Sequence, residues 1–184
     1  MIEHRYFNWN EIITFDDRAN MVRDVKKEID AGNILKDQPK FQPNFVPFDQ
    51  TQLHWNKLYQ SFILSVNDFL GKVVPIVGTR SWSFMTTVDN VEDREKLWHH
   101  HHHDLEYKTV SGVYYLNMPH EDLECGTEFA PNGPKNKETF MLPPKQGQWI
   151  IYNGQEWHRP GIVKTTAPRF IVAADMIYMN DMVL

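Results

Sequence analysis

The chain carries nine histidines in 184 residues, and five of them are consecutive, at positions 99–103. Asp104 follows at once. On an extended strand, residues i and i+2 point to the same side. His102 and Asp104 therefore present an imidazole and a carboxylate to one point. A third ligand must come from elsewhere in the chain. His158 is the candidate, because it follows an apolar stretch, 148–152, and a turn at Asn153-Gly154. Two histidines and one carboxylate on one face, with three positions left open, form the facial triad of non-haem Fe(II) oxygenases. The histidine run leaves its register open, since His100 shares the face of His102 and a slip along the run supplies other imidazoles. His-x-Asp occurs a second time at His120-Glu121-Asp122, but Pro119 precedes it and an acidic stretch follows, the composition of an exposed turn.

Two helices and a set of strands must position these groups. Ala19, Val22, Val25 and Ile29 recur at three- and four-residue steps and predict a helix over 16–31. Asp16 and Asp17 complement its N-terminal dipole, and Gly32-Asn33 ends it. Trp55, Leu58, Phe62, Val66 and Phe69 predict a second helix over 51–70, ended by Gly71. Between them, 36–49 carries Pro39, Pro43 and Pro47 and reads as a loop. After Gly71 the period changes to two. Strands are expected at 81–88, 109–116, 126–129, 138–142, 148–152, 161–164 and 169–178, separated by Pro-, Asn- and Gly-rich turns. Many short strands with brief loops suggest a sandwich or a jelly-roll barrel. The expected organisation is one domain, with a helical part at 1–71 packed on a β core at 72–184.

The order of motifs extends beyond the ligands. Downstream of His102-x-Asp104 stand Gly112-Val-Tyr-Tyr-Leu-Asn117, then Gly126-Thr-Glu-Phe129, then 144–152 leading to Trp157-His158, and Arg169 opening the last strand. This order resembles the 2-oxoglutarate/Fe(II)-dependent dioxygenases, in particular the compact prolyl-hydroxylase-like branch, over roughly residues 98–178. The resemblance implies a double-stranded β-helix, a jelly roll whose two sheets hold the metal between them. It implies Fe(II) bound by His102, Asp104 and His158, with 2-oxoglutarate and O2 as cosubstrates. It implies that Arg169 pairs with the distal carboxylate of 2-oxoglutarate and that Tyr115 hydrogen-bonds the same group. The implied reaction hydroxylates an unactivated C–H bond of a peptidyl, prolyl-like residue or a small molecule, with release of succinate and CO2. The physics agrees with these roles. An arginine offers a buried carboxylate a charged fork, and alternation puts Ile171 and the small Ala173 on the side of Arg169.

Composition limits the alternatives. Lys and Arg number 19 against 24 Asp and Glu, a net −5, so a general nucleic-acid footprint is not expected. The longest apolar run is five residues, 170–174, far short of a membrane span. The first residues lack an apolar stretch of signal-peptide length. Cys125 is the only cysteine, so no internal disulfide forms and a cytoplasmic setting fits. Two other functions compete. One is a non-enzymatic, cupin-like protein that binds metal through the histidine run. The other is a cupin-type oxygenase that uses no keto acid. Arg169 discriminates, since neither needs a carboxylate anchor. Substrate recognition is expected from the N-terminal helices, the 36–49 loop and the charged segment 89–96.

Overall fold

The structure is a computed structural model and describes residues 2–35, 42–88, 94–101, 106–119, 123–136 and 138–180. The expected ligands His102 and Asp104, the second His-x-Asp at 120–122, and parts of the 36–49 and 89–96 segments lie outside the described residues.

Thr14 starts the first helix, α1 (Phe15–Asp30), with a capping box. Its Oγ1 accepts from the Asp17 backbone N–H at 3.2 Å, and Asp17 Oδ2 accepts from the Thr14 N–H at 2.9 Å. Met21 and Val25 are buried on its inner stripe. Helix α2 (Leu53–Leu70) buries Trp55, Leu58, Phe62 and Val66, and it ends at Gly71 in the left-handed conformation, φ 68°. Two serines on the same buried face leave room for indole rings. Trp149 Nε1 donates to Ser61 Oγ at 2.8 Å, and Trp9 Nε1 donates to Ser65 Oγ at 2.8 Å.

The strands form two antiparallel sheets. The larger contains β1 (His4–Asn8), β2 (Ile76–Thr86), β3 (Tyr107–Asn117), β6 (Gln148–Asn153) and β8 (Arg169–Met179), in the order β1-β6-β3-β8-β2. The smaller contains β4 (Thr127–Phe129), β5 (Phe140–Leu142) and β7 (His158–Pro160), in the order β5-β4-β7.

Period-2 alternation divides the large sheet between two cores. Val110, Tyr114 and Leu116 of β3, Trp149 and Ile151 of β6, and Phe170, Val172 and Ala174 of β8 face the helices. Val113, Tyr115, Ile150, Tyr152 and Ile171 face the other way, with Phe129 and Leu142 of the small sheet. Gly112 lets α2 approach closely, because a Cβ there would lie 2.7 Å from Ile151 Cδ1 and 3.0 Å from Phe62. The helices thus cover one face of the large sheet, and the small sheet covers part of the other. This is the expected jelly roll with helices on one outer face.

Three expectations need correction. The N-terminal part is not purely helical, because β1 adds an edge strand beside β6, with Tyr6 opposite Ile150. Its apolar neighbours Tyr6 and Phe7 pack on different cores, so its five residues give no period-2 pattern to read. The strand expected at 161–164 is absent, and the ladder with β4 ends at Pro160. Gly161 passes so close to the Glu124 carbonyl that no Cβ fits. Strand β2 begins at Ile76 rather than at 81, with a register irregularity between Ile76 and Gly78 that breaks the alternation. No helix among the described residues is long and apolar enough to cross a membrane.

Candidate metal and ligand cavity

A cavity of about 720 Å³ opens between the two sheets. Histidines line one end and Arg169 with Tyr115 line the other.

His158 is the first residue of β7, and its pairing with Phe129 of β4 fixes its backbone. The free edge of β7 is taken by His99, whose N–H donates to the His158 carbonyl at 3.1 Å and whose carbonyl accepts from the His158 N–H at 3.0 Å. His101 is anchored two residues on, where its N–H donates to the Gly154 carbonyl at 2.7 Å. His99 and His101, two residues apart in the histidine run, are thus both brought beside His158. One ring nitrogen from each of His99, His101 and His158 lies within 4.8 Å of the other two.

The Nδ1 atoms explain how these rings are aimed. His99 Nδ1 donates to the Leu97 carbonyl at 2.8 Å, and His158 Nδ1 donates to the Glu156 carbonyl at 2.8 Å. His101 Nδ1 lies 3.0 Å from Asp175 Oδ2. A carbonyl or carboxylate oxygen only accepts, so each Nδ1 carries a proton, and in the neutral ring Nε2 keeps its lone pair. This is the arrangement of imidazoles that bind metal through Nε2. Burial holds the His158 pKa well below the usual histidine value, helped by the neighbouring histidines. Burial likewise lowers the His99 pKa. Both rings are thus neutral, the protonation state a metal requires. The stacked rings of Trp82 and His158 flank His101, at centroid distances of 6.3 and 5.7 Å.

Asp175 is on β8 and only 1% exposed. Its Oδ1 accepts from Ser111 Oγ at 2.8 Å, and its Oδ2 accepts from Arg80 Nη2 at 2.9 Å. Burial pushes its pKa up to about 6, against the opposing pull of Ser111 and Arg80.

At the other end, Arg169 opens β8 and is 2% exposed. Its Nη1 donates to the carbonyls of Cys125, Gly126 and Gly161, and its Nη2 donates to Thr86 Oγ1 at 3.5 Å. Tyr115 pairs through its hydroxyl with Thr127 Oγ1 at 2.8 Å. Burial pushes the Tyr115 phenol pKa far up, so it stays protonated and able to donate. Arg169, Tyr115 and Thr127 line the same cavity as the three histidines.

Of the residues singled out from sequence, His158, Arg169 and Tyr115 thus line one cavity, while His102 and Asp104 lie outside the described residues. His99, His101, Thr127 and Asp175 were not singled out. For Asp175 a signal existed, because residues 169, 171, 173 and 175 share one face of β8 and all four line the cavity. Arg159, which also lines the cavity, pairs with Glu128 at 2.8 Å and Glu95 at 3.0 Å, and its guanidinium lies 4.1 Å from the Trp98 ring centre.

No family model matches the sequence, and no curated protein sequence matches it. Solved structures do match the fold. A prolyl-4-hydroxylase from Pseudomonas putida aligns over 94% of this chain and 92% of its own, with a TM-score of 0.60 at 13% identity. The non-haem α-ketoglutarate-dependent carbocyclase SnoK, from nogalamycin biosynthesis, aligns over 97% of this chain and 80% of its own, with a TM-score of 0.67 at 10% identity. EvdO2 from Micromonospora carbonacea var. aurantiaca, complexed with 2-oxoglutarate, aligns over 96% of this chain and 86% of its own, with a TM-score of 0.61 at 10% identity. The chain therefore shares the double-stranded β-helix fold of these oxygenases.

Proposed function

We propose that this chain is an Fe(II)- and 2-oxoglutarate-dependent oxygenase, a single catalytic domain that hydroxylates an unactivated C–H bond of a peptidyl or small-molecule substrate. The observation that carries the reading is the pairing of two dissimilar ends within one cavity. Three Nδ1-tethered histidines stand at one end, and a buried arginine with a tyrosine–threonine hydroxyl pair stands at the other.

His158 is common to both ligand sets proposed for the metal. His99 and His101 complete one, on the clustering of their ring nitrogens with that of His158; His102 and Asp104, implied by the motif order, complete the other. An all-imidazole donor set of this kind suits a divalent first-row metal. When bound, iron with 2-oxoglutarate supplies the oxidising chemistry, in which the keto acid is decarboxylated to succinate and O2 is consumed. The residues of this chain do the rest. Arg169 offers its guanidinium to the distal carboxylate. Tyr115 donates its O–H to that carboxylate, and Thr127 keeps the phenol in place. Ile171 and Val113 add apolar surface to the cavity lining.

The neighbours include enzymes described as a prolyl hydroxylase and as a carbocyclase, so both peptidyl and small-molecule substrates fit the reading. The lone, buried Cys125 suits a reducing compartment such as the cytoplasm. The competing reading, a metal-binding or cupin-type protein that uses no keto acid, draws on the backbone carbonyls that occupy Arg169 Nη1.

Anaerobic addition of 2-oxoglutarate to the Fe(II)-loaded protein separates the two. Appearance of the visible charge-transfer band of a chelated keto acid supports the oxygenase. Bound iron without a band supports the competing reading.

A further inference from the structure

Two of the three clustered histidines are aimed by backbone carbonyls, but His101 is aimed by a side chain. That side chain, Asp175, is the one carboxylate lining the cavity among the described residues. We propose that Asp175 is a positioning residue for the metal, holding His101 through Nδ1 so that Nε2 faces the ion. The proposal rests on the reading of His99, His101 and His158 as the ligands.

The placement is specific. Asp175 is buried in the middle of an eleven-residue strand, opposite Ser111 on β3 and Arg80 on β2. Ser111 fixes its Oδ1, which leaves Oδ2 to be shared between Arg80 and His101. Burying a carboxylate is costly unless it is paired and hydrogen-bonded. A packed strand centre would ordinarily hold an apolar residue, so this carboxylate requires a reason. A carboxylate behind a ligating imidazole fixes its tautomer and raises its basicity toward the metal. Arg169 and Asp175 lie six residues apart on one face of β8, so a single rigid strand sets the arginine end and orients the metal end.

The probe is Co(II) alone, added to the full chain, with affinity read by competition against a chelator and geometry read from the d–d absorption. Four proteins form a double-mutant cycle: wild type, His101→Ala, Asp175→Asn and the double variant. Asp175→Asn is expected to weaken Co(II) binding about 10–100-fold and to change the d–d spectrum. In the His101→Ala background the same change is expected to have no further effect. Thermal unfolding of each metal-free variant monitors folding, and Asp175→Ala in the same cycle provides a second removal of the carboxylate. An Asp175 effect equal in both backgrounds would reduce Asp175 to a structural residue and overturn the proposal. So would unchanged Co(II) affinity in Asp175→Asn while His101→Ala loses it. Unchanged affinity in His101→Ala would instead overturn the ligand reading on which the proposal rests.

Discussion

The two ends of the cavity are built differently. Arg169 and Tyr115 sit on β8 and β3, eleven-residue strands paired along nearly their whole length at the centre of the large sheet. The histidine end rests on β7, a three-residue strand, and on a segment joined to it by one isolated bridge. Long ladders fix side-chain direction through the backbone alone. Short ones cannot, and at the histidine end direction is fixed by side-chain tethers, one acceptor on each Nδ1. The direction of side chains at the rigid end can therefore be read from alternation, while the tethered end depends on local carbonyls at Leu97 and Glu156 and on one distant carboxylate, Asp175.

The largest expected effect is at the tethered end. His158→Ala should abolish stoichiometric binding of Fe(II) or Co(II), measured by equilibrium dialysis, because His158 is at the centre of the cluster. Retained tight binding would move the metal elsewhere. At the rigid end, Arg169→Lys keeps the charge but loses the fork. Its expected cost to 2-oxoglutarate binding is about 2 kcal/mol, roughly 30-fold, with metal affinity unchanged. Loss of both would mean that the two ends are not separable. Gly126→Ala tests the backbone beside Arg169, since a Cβ there would collide with the Leu142 carbonyl. A destabilisation of about 1–3 kcal/mol is expected in urea unfolding.

The pH dependence of the metal-free protein sharpens the comparison. His158 and His99 have lowered folded pKa values. Below the unfolded value of about 6.5 the unfolded chain takes up protons that the native state refuses. Stability should thus be full above that pH and fall as pH drops toward the folded pKa values. Asp175 acts with the opposite sign. Its raised pKa, about 6, adds stability as pH falls through 6, so Asp175→Asn should steepen the acid loss. The smallest effect is remote from both ends. Thr14→Ala removes the α1 cap and should cost about 1 kcal/mol without changing metal or keto-acid binding.

The same contrast explains what was legible in the sequence. Both helices and the strands at 109–116, 148–152 and 169–178 follow from periodicity, because each buries a regular stripe. Arg169 and Tyr115 were pointed to by the resemblance of the motif order rather than by periodicity. The strand at His4–Asn8 stayed hidden because adjacent apolar residues pack on opposite cores. The segment 161–164 misled because Ile162 and Val163 suggest a strand where the backbone must instead reach Gly126 and Arg169. Which histidines of 99–103 reach His158 is not legible in the sequence. Five identical residues carry no pattern of their own, and the partners of His101, Gly154 and Asp175, lie far away in sequence.

That register is the central claim, and a metal titration across the segment tests it most directly. Co(II) affinity would be measured for His99→Ala, His101→Ala, His102→Ala and Asp104→Ala, each alongside wild type. The account predicts large losses for the first two. Large losses for His102→Ala and Asp104→Ala, with His99→Ala and His101→Ala unaffected, would contradict it and assign the metal to the His-x-Asp pair instead.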